Sequence, residues 1–414
     1  MTSNLRTNPA RLWDSLMQMA EIGPGVAGGN NRQTATDADG QARALLRDWA
    51  EAEGMALVLD RMGNMFLRLE GADADAAPVM LGSHLDTQPT GGKFDGVLGV
   101  LAGLEVIRTI REAGLRTRHP IVLVNWTNEE GARFAPAMMG SAVFAGLLEE
   151  ADANARTDLE GLRFGDELAR IGWRGDAAVG GQPIHAFFEY HIEQGPILEA
   201  EGIPVGIVTH GQGLRWIECR ITGRASHAGS TPMGMRADAG RGAARLIEAI
   251  HAIAMTHQPD AVATVGHIEV FPNSRNVIPE AVVLTADMRS HRPEVLAAMQ
   301  DALLRDGPAI CAELDLDFKA EVVGQFQPPA FDPVLLDRLR AGADRLGLSH
   351  RDIVSGAGHD ACNINIIAPT AMLFCPCEGG LSHNEAEAIS PEWAASGADV
   401  LLHAVLETAG VVTD

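Results

Sequence analysis

The sequence predicts an α/β fold with a mostly parallel sheet, into which a second, smaller α+β unit is inserted. Up to about residue 206, apolar strand-like runs alternate with helical stretches such as 38–54 and 96–113. Such alternation is typical of a mostly parallel sheet covered by helices. From about Leu214 the order of the predicted elements changes, which indicates a second unit.

The second unit contains predicted elements in the order β-α-β-β-α-β. They are a strand at 214–222, an amphipathic helix at 236–257, strands at 262–270 and 281–289, a helix at 294–305 and a strand at 316–323. This order is that of a split ferredoxin-like fold. The proline-containing segment 326–329 marks a return to the first unit. We therefore predict one domain at 1–213 and 326–414 and an inserted domain at 214–325.

Length and charge limit the classes of partner. The 414 residues exceed what one hydrophobic core usually organises, which favours two domains. The formal net charge of -23 at pH 7 argues against nucleic acid or an anionic membrane surface as a partner. It does not argue against an anionic substrate, because a few cationic groups can make a local pocket positive.

Cysteine usage and the N-terminus predict a cytoplasmic protein. Five cysteines without a Cys-x-x-Cys spacing are typical of reduced thiols in a reducing compartment. Residues 1–14 lack the basic and apolar pattern of a signal peptide, and no apolar run approaches the roughly 20 residues of a membrane span. We therefore expect neither a membrane partner nor export.

The glutamate pair Glu129-Glu130 closely follows the apolar run 121–124, which is predicted to be a buried strand. Adjacent carboxylates at the end of a buried strand repel each other and lose hydration, so they are tolerated mainly where a cation or a shared proton compensates. Alone, such a pair is more typical of an exposed helix end. Polar residues elsewhere along the chain favour a catalytic base beside a metal ligand.

A second polar cluster follows the apolar segment 78–82. His84 and Asp86 are two residues apart on a predicted extended segment, so their side chains should point the same way. Asp86 is therefore predicted to hydrogen-bond the far nitrogen of a metal-bound His84 imidazole, which makes it a candidate catalytic residue.

Five side chains at predicted strand ends form a candidate ligand set without a thiolate: His84, Asp95, Glu130, His191 and His383. Such N and O donors suit two divalent ions such as zinc, manganese, cobalt or nickel. If Asp95 bridges, each ion receives two further protein ligands, and a water can lie between the ions. Ligand sites of open α/β sheets collect at the carboxyl ends of strands, which agrees with this placement.

The polar motifs follow one another in a characteristic order. That order is His84-x-Asp86, Asp95, Glu129-Glu130, His191 and His383. It resembles the M20 metallopeptidase family, in its amidase, hydantoinase and carbamoylase branch. The segments 82–89, 93–100 and 130–134 look like those of N-carbamoyl-L-amino-acid hydrolases and β-ureidopropionases. The resemblance covers nearly the whole chain, and His191, where peptidases of the wider family usually have an aspartate, favours ureido acids over peptides.

The resemblance assigns Glu129 as the general base and Glu130 as a metal ligand. It also implies substrate contacts from Gln194 to the ureido group, His227 to the developing oxyanion, Asn276 to the carboxylate or carbonyl, Arg289 to the carboxylate, and Gly358 in a pocket loop. His227 is a candidate catalytic residue too, because an oxyanion donor acts in the transition state. Within the family this histidine reaches the partner subunit's active site, which implies a homodimer and a dimerisation or lid role for the inserted domain.

Arg289 suits the carboxylate because guanidinium is a planar fork that matches it. It ends the predicted strand 281–289, whose apolar alternation indicates a buried edge. No acidic residue at helical or cross-strand spacing is evident as its structural partner. We therefore expect Arg289 to bind substrate.

The expected function is metal-dependent hydrolysis of the ureido C–N bond of N-carbamoyl α- or β-amino acids, with release of amino acid, carbon dioxide and ammonia. An allantoate or ureidoglycolate amidohydrolase is an alternative, because those substrates also carry ureido and carboxylate groups. An aminoacylase or dipeptidase is less favoured by His191 and Gln194. A noncatalytic metal-binding relative is a further alternative, although it would not need Glu129 as a base.

Overall fold

The computed structural model describes residues 4–412, so the terminal residues 1–3 and 413–414 of the predicted first domain lie outside the described residues. The chain divides into two compact units. Unit 1 comprises Met1–Thr209 and Phe331–Asp414, and unit 2 comprises His210–Ala330. Unit 2 begins before the predicted residue 214 and ends after the predicted residue 325, and its first boundary falls within the strand Val205–Gly211.

The helices and strands of the described residues are numbered in chain order. The helices are α1 Pro9–Ala20, α2 Asp37–Ala52, α3 Val97–Glu112, α4 Met139–Phe144, α5 Glu150–Asn154, α6 Phe164–Arg170, α7 Ile197–Glu201, α8 Ala239–Met255, α9 Pro293–Ala312, α10 Pro333–Leu346, α11 Asp360–Ile364 and α12 Pro391–Ala409, with 3₁₀ turns at Met233–Met235 and Glu378–Gly380. The strands are β1 Ala56–Leu59, β2 Met65–Leu69, β3 Val79–His84, β4 Ile121–Trp126, β5 Ala186–Ile192, β6 Val205–Gly211, β7 Gly213–Thr222, β8 Ser226–His227, β9 Ala261–Phe271, β10 Val277–Ile278, β11 Ala281–Ser290, β12 Asp317–Phe326, β13 His350–Ser355 and β14 Thr370–Cys375.

Unit 1 is built on a mixed sheet with the strand order β1-β2-β4-β3-β5-β14-β6-β13. Its four central strands, β4, β3, β5 and β14, run parallel. Strands β1, β2 and β6 pair antiparallel with their inner neighbours. The predicted α/β fold with a parallel main sheet is thus confirmed for the centre of the sheet.

The central strands are buried along their whole length. Their nearly continuous apolar sequences are typical of parallel strands covered on both faces. Helix α3 packs on β3 and β5, while α12 packs on β5 and β14. Helix α12 is capped at its N-terminus, because the Ser390 hydroxyl accepts the N–H of Trp393 and Pro391 occupies the first turn.

Unit 2 is an antiparallel sheet with the order β12-β7-β11-β9, and α8 and α9 pack against it. The alternating burial along β7 is typical of a sheet with one packed face. This is the connectivity predicted for a split ferredoxin-like unit. A short additional pair, β8 with β10, was not predicted, because two-residue strands leave no periodic signal.

All five cysteines fall within the described residues, where they are buried and unbridged. Burial raises the pKa of Cys219, Cys362, Cys375 and Cys377 to about 12. A raised pKa disfavours the thiolate, which is the nucleophilic form of cysteine. Among residues 4–412, no helix has the length and apolarity needed to cross a bilayer.

Candidate metal centre and active site

The parallel strands of unit 1 bring the candidate ligands to one edge of the sheet. His84 is the last residue of β3, and His191 is the penultimate residue of β5. The Glu129-Glu130 pair follows β4, and His383 follows β14. Because β4, β3, β5 and β14 are adjacent and parallel, their carboxyl ends lie side by side.

Asp95 lies at the centre of these side chains, in the turn between β3 and α3. Its Oδ1 is 3.1 Å from His191 Nε2 and 3.6 Å from His84 Nε2. Its Oδ2 is 3.6 Å from His383 Nε2, which in turn is 3.5 Å from Glu130 Oε2. The five candidates thus form two groups of three N or O donors that share Asp95, with one Asp95 oxygen facing each group.

Backbone carbonyls orient the two buried imidazoles. His84 Nδ1 is 2.9 Å from the carbonyl oxygen of Asp86, and His191 Nδ1 is 3.0 Å from that of Ile192. With Nδ1 donating, each ring turns its Nε2 atom towards Asp95. Gly96 permits this packing, because its φ is +67° and an added Cβ would lie 2.3 Å from the His84 ring.

The structure places the Asp86 carboxylate differently from the prediction. Its Oδ1 is 3.8 Å from His84 Nδ1, too far for a hydrogen bond. The two oxygens of the Asp86 carboxylate instead accept the backbone N–H groups of Glu129 and Glu130, each at 3.2 Å, and the Thr34 hydroxyl at 2.8 Å. The prediction was wrong because β3 ends at His84, so the alternation of a strand no longer holds two residues later. Asp86 therefore positions the glutamate pair.

The centre carries an excess of buried negative charge. Burial raises the pKa of Glu129 well above its usual value, and burial together with the charge of Asp95 raises the pKa of Glu130 to about 8. Burial alone would lower the pKa of His84, but the nearby Glu129 and Asp95 raise it well above its usual value. Bound cations would compensate this charge, and three imidazoles with two carboxylates are a donor set that fits borderline divalent ions.

Gln194 makes a contact that the sequence did not predict. Its Nε2 donates to Asp95 Oδ2 at 2.8 Å and to Ser382 Oγ at 3.1 Å. Its Oε1 is buried and has no hydrogen-bond partner among the described residues. The backbone φ of Gln194 is +55°, an uncommon value for a side chain of this kind that is often found at functional sites. The expected ureido contact can therefore come from Oε1 as an acceptor, while Nε2 orients Asp95.

Gly358 lies exposed in the loop between β13 and α11. An added Cβ at this glycine would lie 3.0 Å from Met138 Cε. The backbone N–H of Met138 donates to the carbonyl of Glu129 at 2.6 Å. The Gly358 loop therefore lies beside the segment that follows the glutamate pair.

Unit 2 contains the other candidate substrate residues, and two of them are neighbours. His227 and Asn276 are both exposed, and they are brought together by the β8–β10 pair and by a hydrogen bond of 2.9 Å from Ala228 N to Asn276 O. His227 Nδ1 accepts the backbone N–H groups of Gly229 and Ser230, at 3.0 and 3.2 Å. The proton of the neutral ring is consequently on Nε2, which makes that nitrogen a donor.

Arg289 has an acidic partner, contrary to the prediction. Its Nε and Nη2 donate to the carboxylate of Asp287 at 2.9–3.2 Å. Residues two apart on a strand share a face, a spacing that is neither helical nor cross-strand. The strand β11 is also an interior strand, between β7 and β9, and not the predicted edge.

Some residues that shape the site were missed by sequence reasoning. Gln88 Nε2 donates to Glu130 Oε2 at 2.7 Å. Glu189 accepts the Ser83 hydroxyl at 2.6 Å and the N–H of Ala361 at 2.7 Å, which ties β3 to the start of α11. Glu189 had a detectable signal, because it is a charged residue within a fully buried apolar strand. Gln88 had none.

Comparison with known proteins assigns the family. The model of peptidase family M20/M25/M40 matches residues 80–407. The chain belongs to this family. The resemblance inferred from the order of the polar motifs is thereby confirmed.

Individual relatives indicate which members of the M20 family this chain is similar to. An N-carbamoyl-L-amino-acid amidohydrolase from Rhizobium meliloti is 59% identical over 409 residues, which cover 99% of this chain and 98% of that protein. The solved structure of an amidase of the hydantoinase/carbamoylase family from Burkholderia multivorans is 51% identical, with a TM-score of 0.94 over 98% of both chains. A ureidoglycolate hydrolase from Arabidopsis thaliana is 31% identical over 97% of this chain and 87% of that protein.

Proposed function

We propose that the protein is a metal-dependent amidohydrolase that cleaves the ureido C–N bond of N-carbamoyl-L-amino acids. The observation that carries this proposal is the Asp95-centred ligand set with a buried carboxylate, Glu129, 3.4 Å from His84 Nε2. The 59% identical relative named N-carbamoyl-L-amino-acid amidohydrolase supports the substrate class.

The five candidate ligands would hold two divalent ions, with Asp95 between them. Zinc, manganese, cobalt and nickel all suit imidazole and carboxylate donors. Support comes from the two donor groups, each of which faces a different oxygen of Asp95. When bound, such ions polarise the ureido carbonyl and lower the pKa of a bound water.

Glu129 acts as the general base and then as the general acid. It accepts a proton from the attacking water and returns it to the departing amine nitrogen of the amino acid. The C–O bond forms first and gives a tetrahedral carbon, and the C–N bond to the amino acid then breaks as its nitrogen takes the proton from Glu129. The other product is carbamate, which decomposes to carbon dioxide and ammonia. The Asp86 carboxylate holds the Glu129 backbone in place for both transfers.

Each candidate substrate residue is proposed to make one contact. The Gln194 Oε1 accepts a ureido N–H, and the N–H groups near Gly358 contact the substrate backbone. His227 Nε2 donates to the tetrahedral oxygen, a contact typically worth about 3 kcal/mol in the transition state. Arg289 binds the substrate carboxylate, and Asn276 binds the carboxylate or the carbonyl. Unit 2 serves as a dimerisation or lid domain of a cytoplasmic homodimer in this proposal, with His227 acting on the partner subunit's substrate.

The test is ammonia release by metal-reconstituted protein on a substrate panel. The panel contains N-carbamoyl-L-α-amino acids, their D-enantiomers, N-carbamoyl-β-alanine, allantoate and ureidoglycolate. It also contains N-acetyl amino acids, which release no ammonia, so their hydrolysis is measured as formation of the free amine. The highest kcat/KM should be found with an N-carbamoyl-L-amino acid. Preference for ureidoglycolate would favour the second candidate function, which the Arabidopsis relative supports at 31% identity. Turnover of none of these compounds would refute the assignment.

A further inference from the structure

Glu387 is a buried carboxylate that takes no part in the proposed reaction steps. Only 4% of the residue is exposed, and it lies four residues after His383 in the segment that leads to α12. Burying a carboxylate is costly unless hydrogen bonds replace its water. The partners of Glu387 therefore indicate what this carboxylate holds in place.

Those partners belong to two segments that are far apart in sequence. Oε1 of Glu387 accepts the backbone N–H groups of Phe94 and Asp95, at 3.0 and 3.1 Å. Oε2 is 3.2 Å from the hydroxyl of Ser382, and that hydroxyl is 2.9 Å from Asp95 Oδ2. One carboxylate thus joins the backbone of Asp95 to the residue that precedes His383.

The turn before Asp95 is shaped around this carboxylate. A Cβ added at Gly92 would lie 2.0 Å from Glu387 Oε1 and 2.5 Å from its Cβ. Such distances are far below normal van der Waals contact, so any side chain at this position must displace Glu387. Gly92 therefore offers a way to disturb the contact without changing the carboxylate itself.

A second glutamate fastens the same segment elsewhere. The Glu385 carboxylate accepts the backbone N–H groups of Ala27 and Gly29, the latter at 3.2 Å. His383, between these anchors and Ser382, has a side chain that is 52% exposed and a backbone φ of +53°. Because about half of this side chain is exposed, we expect its position to depend on how the segment around it is anchored.

We propose that Glu387 is a positioning residue of the metal centre, which fixes Asp95 relative to the His383 segment so that both donor groups can form around the shared carboxylate. This inference rests on the proposed function, because it assumes that the groups bind divalent ions. Residues that orient metal ligands typically contribute 10-fold to 100-fold to metal affinity. Glu385 fastens only the His383 segment, so its loss should affect one group, whereas loss of Glu387 should affect both.

The test measures metal binding to the purified full-length protein, with Mn²⁺ in calorimetry and Co²⁺ in visible spectroscopy. For either probe ion, Glu387→Ala should weaken binding at both donor groups about 10-fold to 100-fold. Glu387→Gln should bind within a few-fold of the wild type, because the amide oxygen can still accept both N–H groups. Gly92→Ala should reproduce the loss, and Glu392→Ala, at an exposed glutamate in the first turn of α12, should change nothing.

Wild-type affinity for both ions in Glu387→Ala and Gly92→Ala, with circular dichroism unchanged, would overturn the proposal. Equal losses in Glu387→Gln and Glu387→Ala would overturn it as well, since they would show that the hydrogen bonds are not what matters. If Glu387→Ala does not fold, the metal affinity of Gly92→Ala is the test: wild-type affinity overturns the proposal, and a loss of about 10-fold to 100-fold supports it. Metal binding is measured without substrate, so failure of the proposed reaction on the substrate panel remains a separate result.

Discussion

In unit 1 the side chains around Asp95 are mostly buried, and backbone hydrogen bonds orient the two buried imidazoles. In unit 2, by contrast, His227 and Asn276 are exposed, the first within a two-residue strand and the second next to one. The first arrangement is preorganised, because buried charges remain in place only when fixed partners replace their water. The second is open to solvent, and among the described residues the ring of His227 is oriented only by the backbone N–H groups of Gly229 and Ser230. We therefore expect changes around Asp95 in unit 1 to act on the chemical step, and changes at Asn276 and Arg289 in unit 2 to act mainly on substrate binding.

The topologies of the two units explain this difference. Adjacent parallel strands in unit 1 end at the same edge, so loops from distant parts of the sequence meet there. The sheet of unit 2 is antiparallel, so neighbouring strands end at opposite edges. In this sheet the acidic partner of Arg289 is Asp287, two residues earlier on the same strand.

The largest effect is expected from removing the metal ions. Dialysis against a chelator should abolish ammonia release from N-carbamoyl amino acids, because the proposed water activation is then lost. Addition of a divalent salt should restore it. Full activity in protein shown by elemental analysis to be metal-free would contradict the proposed role of the Asp95 groups.

Glu129→Gln should lower kcat by about 100-fold to 10,000-fold, because proton transfer is lost while the shape of the side chain is kept. Metal content should be unchanged, since the five candidate ligands remain. The matched variant Glu130→Gln should instead lose metal. If elemental analysis shows the reverse pattern, the roles assigned to Glu129 and Glu130 must be exchanged.

Asp86→Asn should lower kcat by roughly 10-fold to 100-fold, because its amide cannot accept all the hydrogen bonds made by the carboxylate to Glu129 and Glu130. Thr34→Val is the control, since it removes only the hydroxyl that donates to Asp86. Its effect on kcat should be clearly smaller. Equal losses in the two variants would show that the contacts with the glutamate pair are not what Asp86 contributes.

Arg289→Ala should raise KM for an N-carbamoyl amino acid about tenfold, with a smaller change in kcat. A charge-assisted hydrogen bond contributes roughly 1.5–3 kcal/mol, and we expect the lower end because Arg289 already pairs with Asp287. An amide analogue without the carboxylate should be little affected, and Arg289→Lys should recover part of the loss. Equal losses for acid and amide would assign Arg289 a structural role.

The amino-acid sequence was sufficient to predict the family, the α/β class and the candidate ligands. The alternation of apolar runs and helices indicates parallel strands, and polar residues after such strands converge whatever the strand order. For this reason His84, Asp95, Glu130, His191 and His383 could be proposed together before their distances were known. The order of the motifs then indicated the M20 family, which the match over residues 80–407 confirms.

Two predictions from the sequence failed. One assumed that a strand continued beyond its actual end, and the other searched for an ion-pair partner at the wrong residue spacing. The alternation assumed for His84 and Asp86 requires an extended strand, but β3 ends at His84, and the carboxylate turns to the glutamate pair. For Arg289, the partner Asp287 is visible in the sequence, but it lies at strand spacing on the same face rather than at helical or cross-strand spacing.

Only the tertiary structure decided which distant groups meet. The contacts of Glu387 with the Asp95 backbone, the space left by Gly92 and the hydrogen bond from Gln194 to Asp95 join segments about 100 to 300 residues apart. Local patterns report which face of an element is buried, since that depends on neighbouring residues along the chain. They carry no information on which side chain completes a buried carboxylate's hydrogen bonds, because that partner is selected by packing of the whole unit.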